Sequence, residues 1–234
     1  MRINTAGLIV EVEPFGELLK SRLAPYEYKG DSDTDIAVNV SKQYYIDRQK
    51  ENPHLSFDEC EYLWSAAYFY EQLAKFNGVM LHSSCVAYNG KAYCFSAKSG
   101  TGKSTHTHLW LRYLPGSQII NDDKPALRVI GGKVYAFGTP WSGKTDESIN
   151  TGVPVEGIAF LSRGENSIKR VSGISVLKDF FDQTVRPGSK ELMGLMMETL
   201  DKILTAVPVY RFSCDMTEEA VETSYKGMTE NEAK

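Results

Sequence analysis

Short apolar runs separated by polar turns occupy the first fifty residues of the chain. Residues 7–12 and 35–40 are two such runs, with a charged turn between them, and they predict a small β-rich element. The period then changes to that of a helix. Ser56 and Glu59 have the separation of a capping box, and the apolar positions after them recur on one face, so we expect a helix over residues 57–76.

Two predicted hairpins occupy the middle of the chain. The first is built on Asn89 and Gly90, the strongest short signal for a type I′ turn, between residues 86–88 and 91–93. The second spans residues 126–137 and turns on a Gly-Gly pair. The remaining expected elements are a helix over residues 107–114, strands at 117–123, 160–163, 167–171 and 208–212, helices at 175–184, 190–204 and from Thr217, and a fraying tail at 231–234.

These elements predict an α/β (α+β) chain with a mixed, β-rich sheet. A common nucleotide-binding core would approach its phosphate loop from a parallel strand with helical crossovers, whereas the first hairpin gives the strand before residue 97 an antiparallel neighbour. We expect two parts, a small N-terminal α+β element at residues 1–76 and a larger domain at residues 77–230.

Composition narrows the class of protein. The chain has 234 residues, of which 42% are hydrophobic, enough for one domain or for a core with a small appendage. The net charge of −4 and the mixed charge pattern leave no basic stripe, so neither nucleic acid nor membrane is expected as a partner. No apolar stretch reaches membrane-spanning length, no signal peptide is legible, and the four cysteines lack metal spacing, which favours a cytoplasmic protein with reduced thiols.

Residues 97–105, AKSGTGKST, carry the strongest candidate chemistry, because they lie between an apolar strand and an amphipathic helix. Glycines in such a loop let backbone N–H groups turn inward, the helix start adds the positive end of its dipole, and Lys103 adds a cation. Ser104 is placed to offer its hydroxyl to a magnesium ion. The residues expected to bind a nucleotide are Ser99, Gly100, Thr101, Gly102, Lys103, Ser104 and Thr105.

Two features qualify the motif. Ala97 stands where the usual pattern has glycine, and an alanine in a left-handed conformation would cost roughly 1–2 kcal/mol. Residues 138–145, GTPWSGKT, match the P-loop spacing at every required position. No helical period follows them, however, and Gly152 and Pro154 end the segment. We therefore assign the nucleotide site to the first loop.

Paired carboxylates follow the next predicted strand. Asp122 and Asp123 come about a helix and a strand after Lys103, where a magnesium-binding acid belongs in a P-loop protein. One carboxylate can help to hold the ion while the other accepts a proton from an attacking hydroxyl. The alternative is a simple Asn-Asp-Asp turn. His82 lies 21 positions before Lys103 at the start of the first hairpin, where a histidine is packed, solvated or catalytic.

An upstream histidine, a hairpin that leads into Ser-Gly-x-Gly-Lys-Ser, and an Asp-Asp pair resemble the catalytic domain of HPr serine kinase/phosphorylase. They resemble the nucleotide half of phosphoenolpyruvate carboxykinase more distantly. The resemblance covers roughly residues 79–215 and implies a P-loop kinase-like catalytic domain over residues 77–230. It places the family's lysine at Lys103, its metal and base carboxylates at Asp122 and Asp123, with Ser104 also on the metal, and its histidine at His82.

The chain departs from that family at Ala97 and at Thr105, where bacterial HPr kinases usually carry glutamate, and the family's downstream signature is not legible. We therefore expect a divergent branch. The resemblance implies ATP (or GTP) and Mg²⁺ as cofactors. HPr kinases are hexameric, which makes a homo-oligomer an expectation, although the sequence indicates no interface.

Several other residues are weaker candidates. Phosphoryl transfer usually needs a further cation near the γ-phosphate, and Arg163 at a strand end is the first choice. Lys144 and Trp141 either approach the substrate or a phosphate, or belong to a surface turn after a hairpin. His106 and His108 invite a metal site, but a spacing of two on a helix directs their side chains to different faces.

The sequence thus predicts an ATP- and Mg²⁺-dependent phosphotransferase. The acceptor would be a hydroxyl of a protein, peptide or small metabolite, and the family favours a serine. Reverse phosphorylase activity is neither supported nor excluded. A nucleotide-binding regulatory or scaffold module without phosphotransfer is the alternative, and a vestigial loop without nucleotide affinity is a third reading that the paired aspartates disfavour.

Overall fold

The computed structural model describes residues 1–230, and the predicted fraying of residues 231–234 lies outside them. Seven α-helices occur within this part of the chain: α1 (Glu17–Leu23), α2 (Lys42–Glu51), α3 (Phe57–Leu73), α4 (Lys103–Tyr113), α5 (Gly173–Asp182), α6 (Lys190–Ala206) and α7 (Glu218–Thr229). Most agree with the expected helices to within a few residues. No helix among residues 1–230 is both long and apolar enough to cross a bilayer.

Twelve strands form two sheets within the described residues. The first sheet has the order β1-β2-β3, and the second has nine strands in the order β4-β8-β9-β10-β6-β5-β7, with β12 between β10 and β11. The strands are β1 (Arg2–Thr5), β2 (Leu8–Val12), β3 (Ile36–Val38), β4 (Gly78–Met80), β5 (Ser83–Tyr88), β6 (Lys91–Ser96), β7 (Gln118–Asn121), β8 (Ala126–Ile130), β9 (Lys133–Phe137), β10 (Gly152–Arg163), β11 (Ser167–Val171) and β12 (Val209–Cys214). The chain is a mixed α/β protein with a mixed sheet, as the sequence predicts.

Both hairpins form in the expected register. Tyr88 pairs with Lys91 across Asn89 and Gly90, whose φ angles are 49° and 73°. Positive φ at both central residues is the requirement of a type I′ turn. The β8–β9 hairpin turns on two glycines with φ angles of 56° and 77°. Local sequence chemistry therefore determines both turns.

Strand directions bring distant parts of the chain to one edge of the large sheet. β5 is antiparallel to both β6 and β7, so β6 and β7 run in the same direction. β10 is parallel to β6, and β12 is parallel to β10. The segments that follow β6, β7, β10 and β12, and the residues before β5, therefore meet at one edge, which we call the carboxyl edge.

The N-terminal segment contains more helix than its sequence pattern indicates. The expectation of a β-rich element over the first fifty residues is wrong for α1 and α2, which account for 16 of these residues. α2 buries only Tyr45, so it has no apolar stripe that a periodicity argument can detect. α3 agrees with its prediction, because the capping box of Ser56 and Glu59 is formed.

The N-terminal strands and helices bury their apolar side chains against β4, β8 and the segment that follows β9. One hydrophobic cluster joins residues of β1, β2, α1 and α3 to Met80, Ala126 and Trp141. The predicted boundary between residues 76 and 77 thus crosses a shared core. Two further clusters cover the opposite faces of the large sheet, one packed by α5 and α6 and the other by α4 and α7.

Candidate functional site

The glycine loop joins β6 to α4 at the carboxyl edge, with the lysine at the first helical position. Gly100 and Gly102 have φ angles of 78° and 122°, which L-residues with side chains rarely adopt. The Lys103 side chain is 7% exposed and its ammonium donates to the Ala97 carbonyl at 3.0 Å. Burial lowers the pKa of Lys103, and the negative charges of Asp123 and Asp122 partly oppose this effect.

Ala97 does not carry the strain that its replacement of glycine would suggest. It has no positive φ, and its methyl group is buried with Phe95 and Trp110 in the cluster between the sheet and α4. The expectation of a left-handed alanine costing 1–2 kcal/mol at this position is therefore wrong. The loop instead takes its unusual backbone angles at Gly100 and Gly102.

The Asp-Asp pair sits in a turn organised by the residue before it. The Asn121 side-chain carbonyl accepts from the backbone N–H groups of Asp123 at 3.0 Å and Lys124 at 2.7 Å. Its amide donates to the Thr139 carbonyl at 3.2 Å. The Asn-Asp-Asp turn and the functional reading are thus compatible, because the turn directs two carboxylates to the carboxyl edge.

Asp122 is buried and held by two hydroxyl groups. Ser84 donates to Oδ1 at 2.6 Å, and Thr145 donates to Oδ2 at 3.0 Å. Ser84 Oγ also lies 2.6 Å from Thr107 Oγ1 on α4, which connects the carboxylate to the helix of the glycine loop. Each carboxylate oxygen retains acceptor capacity, because an ionised carboxylate offers about four lone-pair positions.

Asp123 faces two cationic or cation-forming groups. Its Oδ1 lies 3.1 Å from His82 Nε2, and its Oδ2 pairs with the Lys124 ammonium. Burial alone would raise the pKa of Asp123, but the hydrogen bond with His82 and the charge of Lys124 outweigh burial and lower it to about 2. His82 Nδ1 in turn lies 2.9 Å from Gln183 Oε1. The predicted histidine and carboxylate are therefore in direct contact.

A cleft of about 670 Å³ opens between these carboxylates and the N-terminal element. The glycine loop contributes Ser99 and Ser104 to its wall, the acid turn contributes Asp122, Asp123 and Lys124, and the second glycine-rich loop contributes residues 142–145. Its opposite wall comes from α1, α3 and the residue before the α3 cap, with the side chains Leu18, Arg22, Leu55, Glu59, Tyr62 and Leu63.

Arg163 occupies a different place from the one expected of a γ-phosphate ligand. Its Nε donates to the Thr101 carbonyl at 3.0 Å, and its Nη2 donates to the Gly100 carbonyl at 2.7 Å. The side chain thus holds the glycine loop through two of its carbonyl groups. It also lines a second cleft of about 690 Å³. Direct contact of Arg163 with a phosphate stays a prediction.

The second glycine-rich motif is not followed by a helix, in agreement with its rejection as a P-loop. Trp141 is fully buried, stacks on Phe69 with ring centroids 4.7 Å apart, and donates to Ser65 Oγ at 3.1 Å. Trp141 is therefore a core residue, and both alternatives given for it, an approach to the substrate or a phosphate and a position in a surface turn, are wrong. Lys144 is exposed and lines the 670 Å³ cleft.

His106 and His108 face different surroundings, as their spacing predicts. His106 is buried against Phe95 and Phe212, and burial lowers its pKa to about 3. His108 is exposed and lies 3.0 Å from Glu147 Oε1. The two imidazoles cannot share a metal ion.

The donors at the carboxyl edge fit magnesium in kind. Asp122, Asp123 and the Ser104 hydroxyl are hard oxygen ligands, and Mg²⁺ in phosphotransferases is held by one or two carboxylates together with substrate phosphates and water. Within residues 1–230 there is no group of three or more His, Cys, Asp or Glu side chains suited to a metal ion.

Comparisons with known proteins identify one distant structural similarity and no family. No family model matches the chain. No curated protein matches it. Among solved structures it is similar to the HPr(Ser) kinase/phosphatase from Coxiella burnetii, with a TM-score of 0.38 and 10% identity, over 65% of this chain and 95% of that chain. A similarity at this level does not indicate a function, so a function must be inferred from the residues of the cleft.

Sequence reasoning missed the polar residues that hold the carboxylates. Ser84 and Thr145 contact Asp122, and Gln183 contacts His82, and each lies at least 23 positions in sequence from the residue that it contacts. Gln183 directly follows α5 and carries no motif. Lys124 was adjacent to the acid pair, and its charge beside two carboxylates was the one signal that could have identified it.

Proposed function

We propose that this protein is a nucleotide- and magnesium-dependent phosphotransferase of the HPr-kinase-like kind, which transfers a phosphoryl group to a hydroxyl. One observation supports this above the others. Lys103 on the glycine loop and the Asp122–Asp123 pair meet at the carboxyl edge, where their charges interact. A cation-bearing phosphate loop beside two carboxylates is the arrangement that phosphoryl transfer requires.

The residues of the chain divide the work between binding and proton transfer. The loop amides from Ser99 to Thr105 and the ammonium of Lys103 bind the phosphates. Asp122, fixed by Ser84 and Thr145, is suited to a metal together with Ser104. A bound magnesium ion would neutralise charge on the transferring phosphoryl group. Two hydroxyl donors hold Asp122 in one orientation, which suits a ligand more than a base.

Asp123 is the proposed base. Its carboxylate is ionised at neutral pH and can accept the proton of the acceptor hydroxyl. As the proton is transferred, the hydroxyl oxygen bonds to the terminal phosphorus, and the bond from that phosphorus to the bridging oxygen breaks. The nucleoside diphosphate leaves with the bridging oxygen. His82 orients Asp123. A strong base is not needed, because the transition state of phosphoryl transfer is loose. A protein, peptide or metabolite hydroxyl can serve as acceptor, with serine favoured by the family resemblance.

The test is calorimetric titration of ATP and GTP, with and without Mg²⁺, into the wild type and Lys103→Ala. We expect magnesium-dependent binding that is lost in Lys103→Ala. The control is Lys133→Ala, which should retain binding, because Lys133 is an exposed residue at the start of β9. Asp123→Asn should bind nucleotide but fail to phosphorylate acceptors in a mass-spectrometric screen. Absence of nucleotide binding by the wild type would refute the proposal.

A regulatory nucleotide-binding module is the second candidate, and the position of Arg163 favours it. The guanidinium that could have stabilised a transferring phosphate is bound to two loop carbonyls instead. A module of this class would bind ATP or GTP through Lys103 without consuming it. Tight binding by the wild type, combined with no transfer to any acceptor and unchanged binding in Asp123→Asn, would identify the module.

A further inference from the structure

The loop of residues 142–145 is built into the cleft although it is not a phosphate loop. A Cβ atom on Gly143 would lie 2.7 Å from Asp123 Cβ, so this backbone passes directly against the second carboxylate. Thr145 donates to Asp122 at 3.0 Å. Lys144 is the residue between these two contacts, so its backbone is fixed beside both carboxylates.

The N-terminal element braces the same loop from its other side. Arg22 on α1 pairs with Asp146 and donates to the Gly143 carbonyl at 3.3 Å. The N–H of Gly143 donates to Tyr62 Oη at 3.0 Å. Three contacts thus hold the loop at Gly143 and Asp146, and a mobile surface turn would need none of them. This bracing places a flexible lysine side chain on a rigid support.

Among the cations within residues 1–230 that line this cleft, Lys144 is the one without an ion pair at close range. Arg22 is paired with Asp146, and Lys124 is paired with Asp123. Lys144 is exposed, and its charge only adds to the effect of Ser56 hydrogen bonds and of His54 in lowering the pKa of Glu59 across the cleft. An exposed lysine and glutamate interact weakly, so the ammonium can move to a stronger anion.

We propose that Lys144 binds the terminal phosphate of the nucleotide held by the glycine loop, the role that position alone had suggested for Arg163. This inference rests on the proposed function. A metal-bound triphosphate beside Asp122 and Ser104 would place its terminal phosphate in the cleft that Lys144 lines. Arg163 then has a different role, which is to maintain the shape of the loop through the carbonyls of Gly100 and Thr101.

The two roles predict different effects on the selectivity between nucleotides, because only the loss of Lys144 should distinguish a triphosphate from a diphosphate. We expect Lys144→Gln to weaken binding of the non-hydrolysable ATP analogue AMP-PNP with Mg²⁺ by about 10-fold, the value of one charge-assisted hydrogen bond, while ADP binding changes little. Arg163→Ala should weaken both ligands by a similar factor, because loop shape affects every phosphate. Lys144→Arg should recover part of the AMP-PNP affinity, since it keeps the charge.

Calorimetric titration measures the affinities of AMP-PNP and ADP for the wild type, these variants and the Lys133→Gln control. Circular dichroism shows whether each variant is folded. Equal effects of Lys144→Gln on the two ligands, or none, would overturn the assignment of Lys144. If the wild type binds both ligands through Lys103 in that case, the proposed function still stands. If the wild type binds neither ligand, both proposals fail together.

Discussion

His106, on the helix that follows the glycine loop, has a charge state that its burial determines. Its imidazole is fully buried and its Nε2 accepts from Trp110 Nε1 at 3.1 Å. Burial lowers its pKa from 6.5 to about 3, so the ring is neutral in the folded protein throughout the ordinary pH range. The unfolded chain, in contrast, takes up a proton near the ordinary pKa.

This difference predicts an acid-dependent stability. Because the folded pKa is the lower one, the stabilising contribution is complete above pH 6.5 and is lost as the pH falls towards about 3. The free energy of unfolding should decrease by about 1.4 kcal/mol for each pH unit in this window through this residue. Urea unfolding of wild type and His106→Gln from pH 7 to pH 4 measures it, and the variant should show a shallower decrease.

The matched control for this prediction is His54→Gln, since His54 is exposed. It should keep the pH dependence of the wild type. Identical slopes for the wild type and His106→Gln would show that the buried ring does not control the acid response.

At this scale the sequence predicts residue types better than their contacts. Lys103, Asp122, Asp123 and His82 were singled out from spacing, and they do lie at one edge of the sheet. The hydroxyls of Ser84 and Thr145 were not identified, because serine and threonine occur throughout the chain and only the folded sheet brings these two to Asp122. Trp141 was misread because its burial depends on α3, far away in sequence.

Among the elements, α1 has a role that its length does not suggest. It is only seven residues long, and buried Glu61 of α3 accepts from the N–H groups of Phe15 at 2.6 Å and Gly16 at 2.9 Å at its start. The helix then presents Arg22 to the loop that contains Lys144. The N-terminal element is therefore linked to the candidate site by a chain of polar contacts.

We expect Arg22→Ala to loosen that loop without unfolding the protein. Amide hydrogens of residues 142–146 should exchange faster, because the carbonyl of Gly143 and the carboxylate of Asp146 lose their partner. The discrimination between AMP-PNP and ADP should fall in parallel. Hydrogen-exchange mass spectrometry with Lys20→Ala as the control, an exposed lysine of the same helix, measures the effect. Unchanged exchange in this segment would mean that Gly143 and Thr145 alone fix the loop.

Elements whose cause is local were the ones predicted correctly. The Asn89–Gly90 hairpin and the Ser56–Glu59 capping box are specified by a few neighbouring residues. α1 and α2 were missed, because a short helix and a polar one have no apolar period and form against the rest of the fold. The parallel pairing of β10 with β6 and β12 is likewise a tertiary property that no local pattern encodes.

At the scale of the whole molecule, residues 1–76 and residues 77–230 share one hydrophobic cluster. The cluster around Trp141 includes side chains from both sides of that boundary. Trp141 stacks on Phe69 and donates to Ser65, and both of these residues belong to α3. A shared core makes the two parts unfold together, because neither can lose its packing without exposing the other.

We therefore expect one cooperative transition in differential scanning calorimetry, with equal calorimetric and van't Hoff enthalpies. Trp141→Ala should destabilise that single transition by about 3–5 kcal/mol, the usual loss for a buried tryptophan. Trp64→Ala, at a half-buried position of α3, is the control and should cost much less. If the parts fold independently, the wild type itself would show two transitions, and the N-terminal element would be an appendage whose contacts with the cleft could be removed without unfolding the larger part.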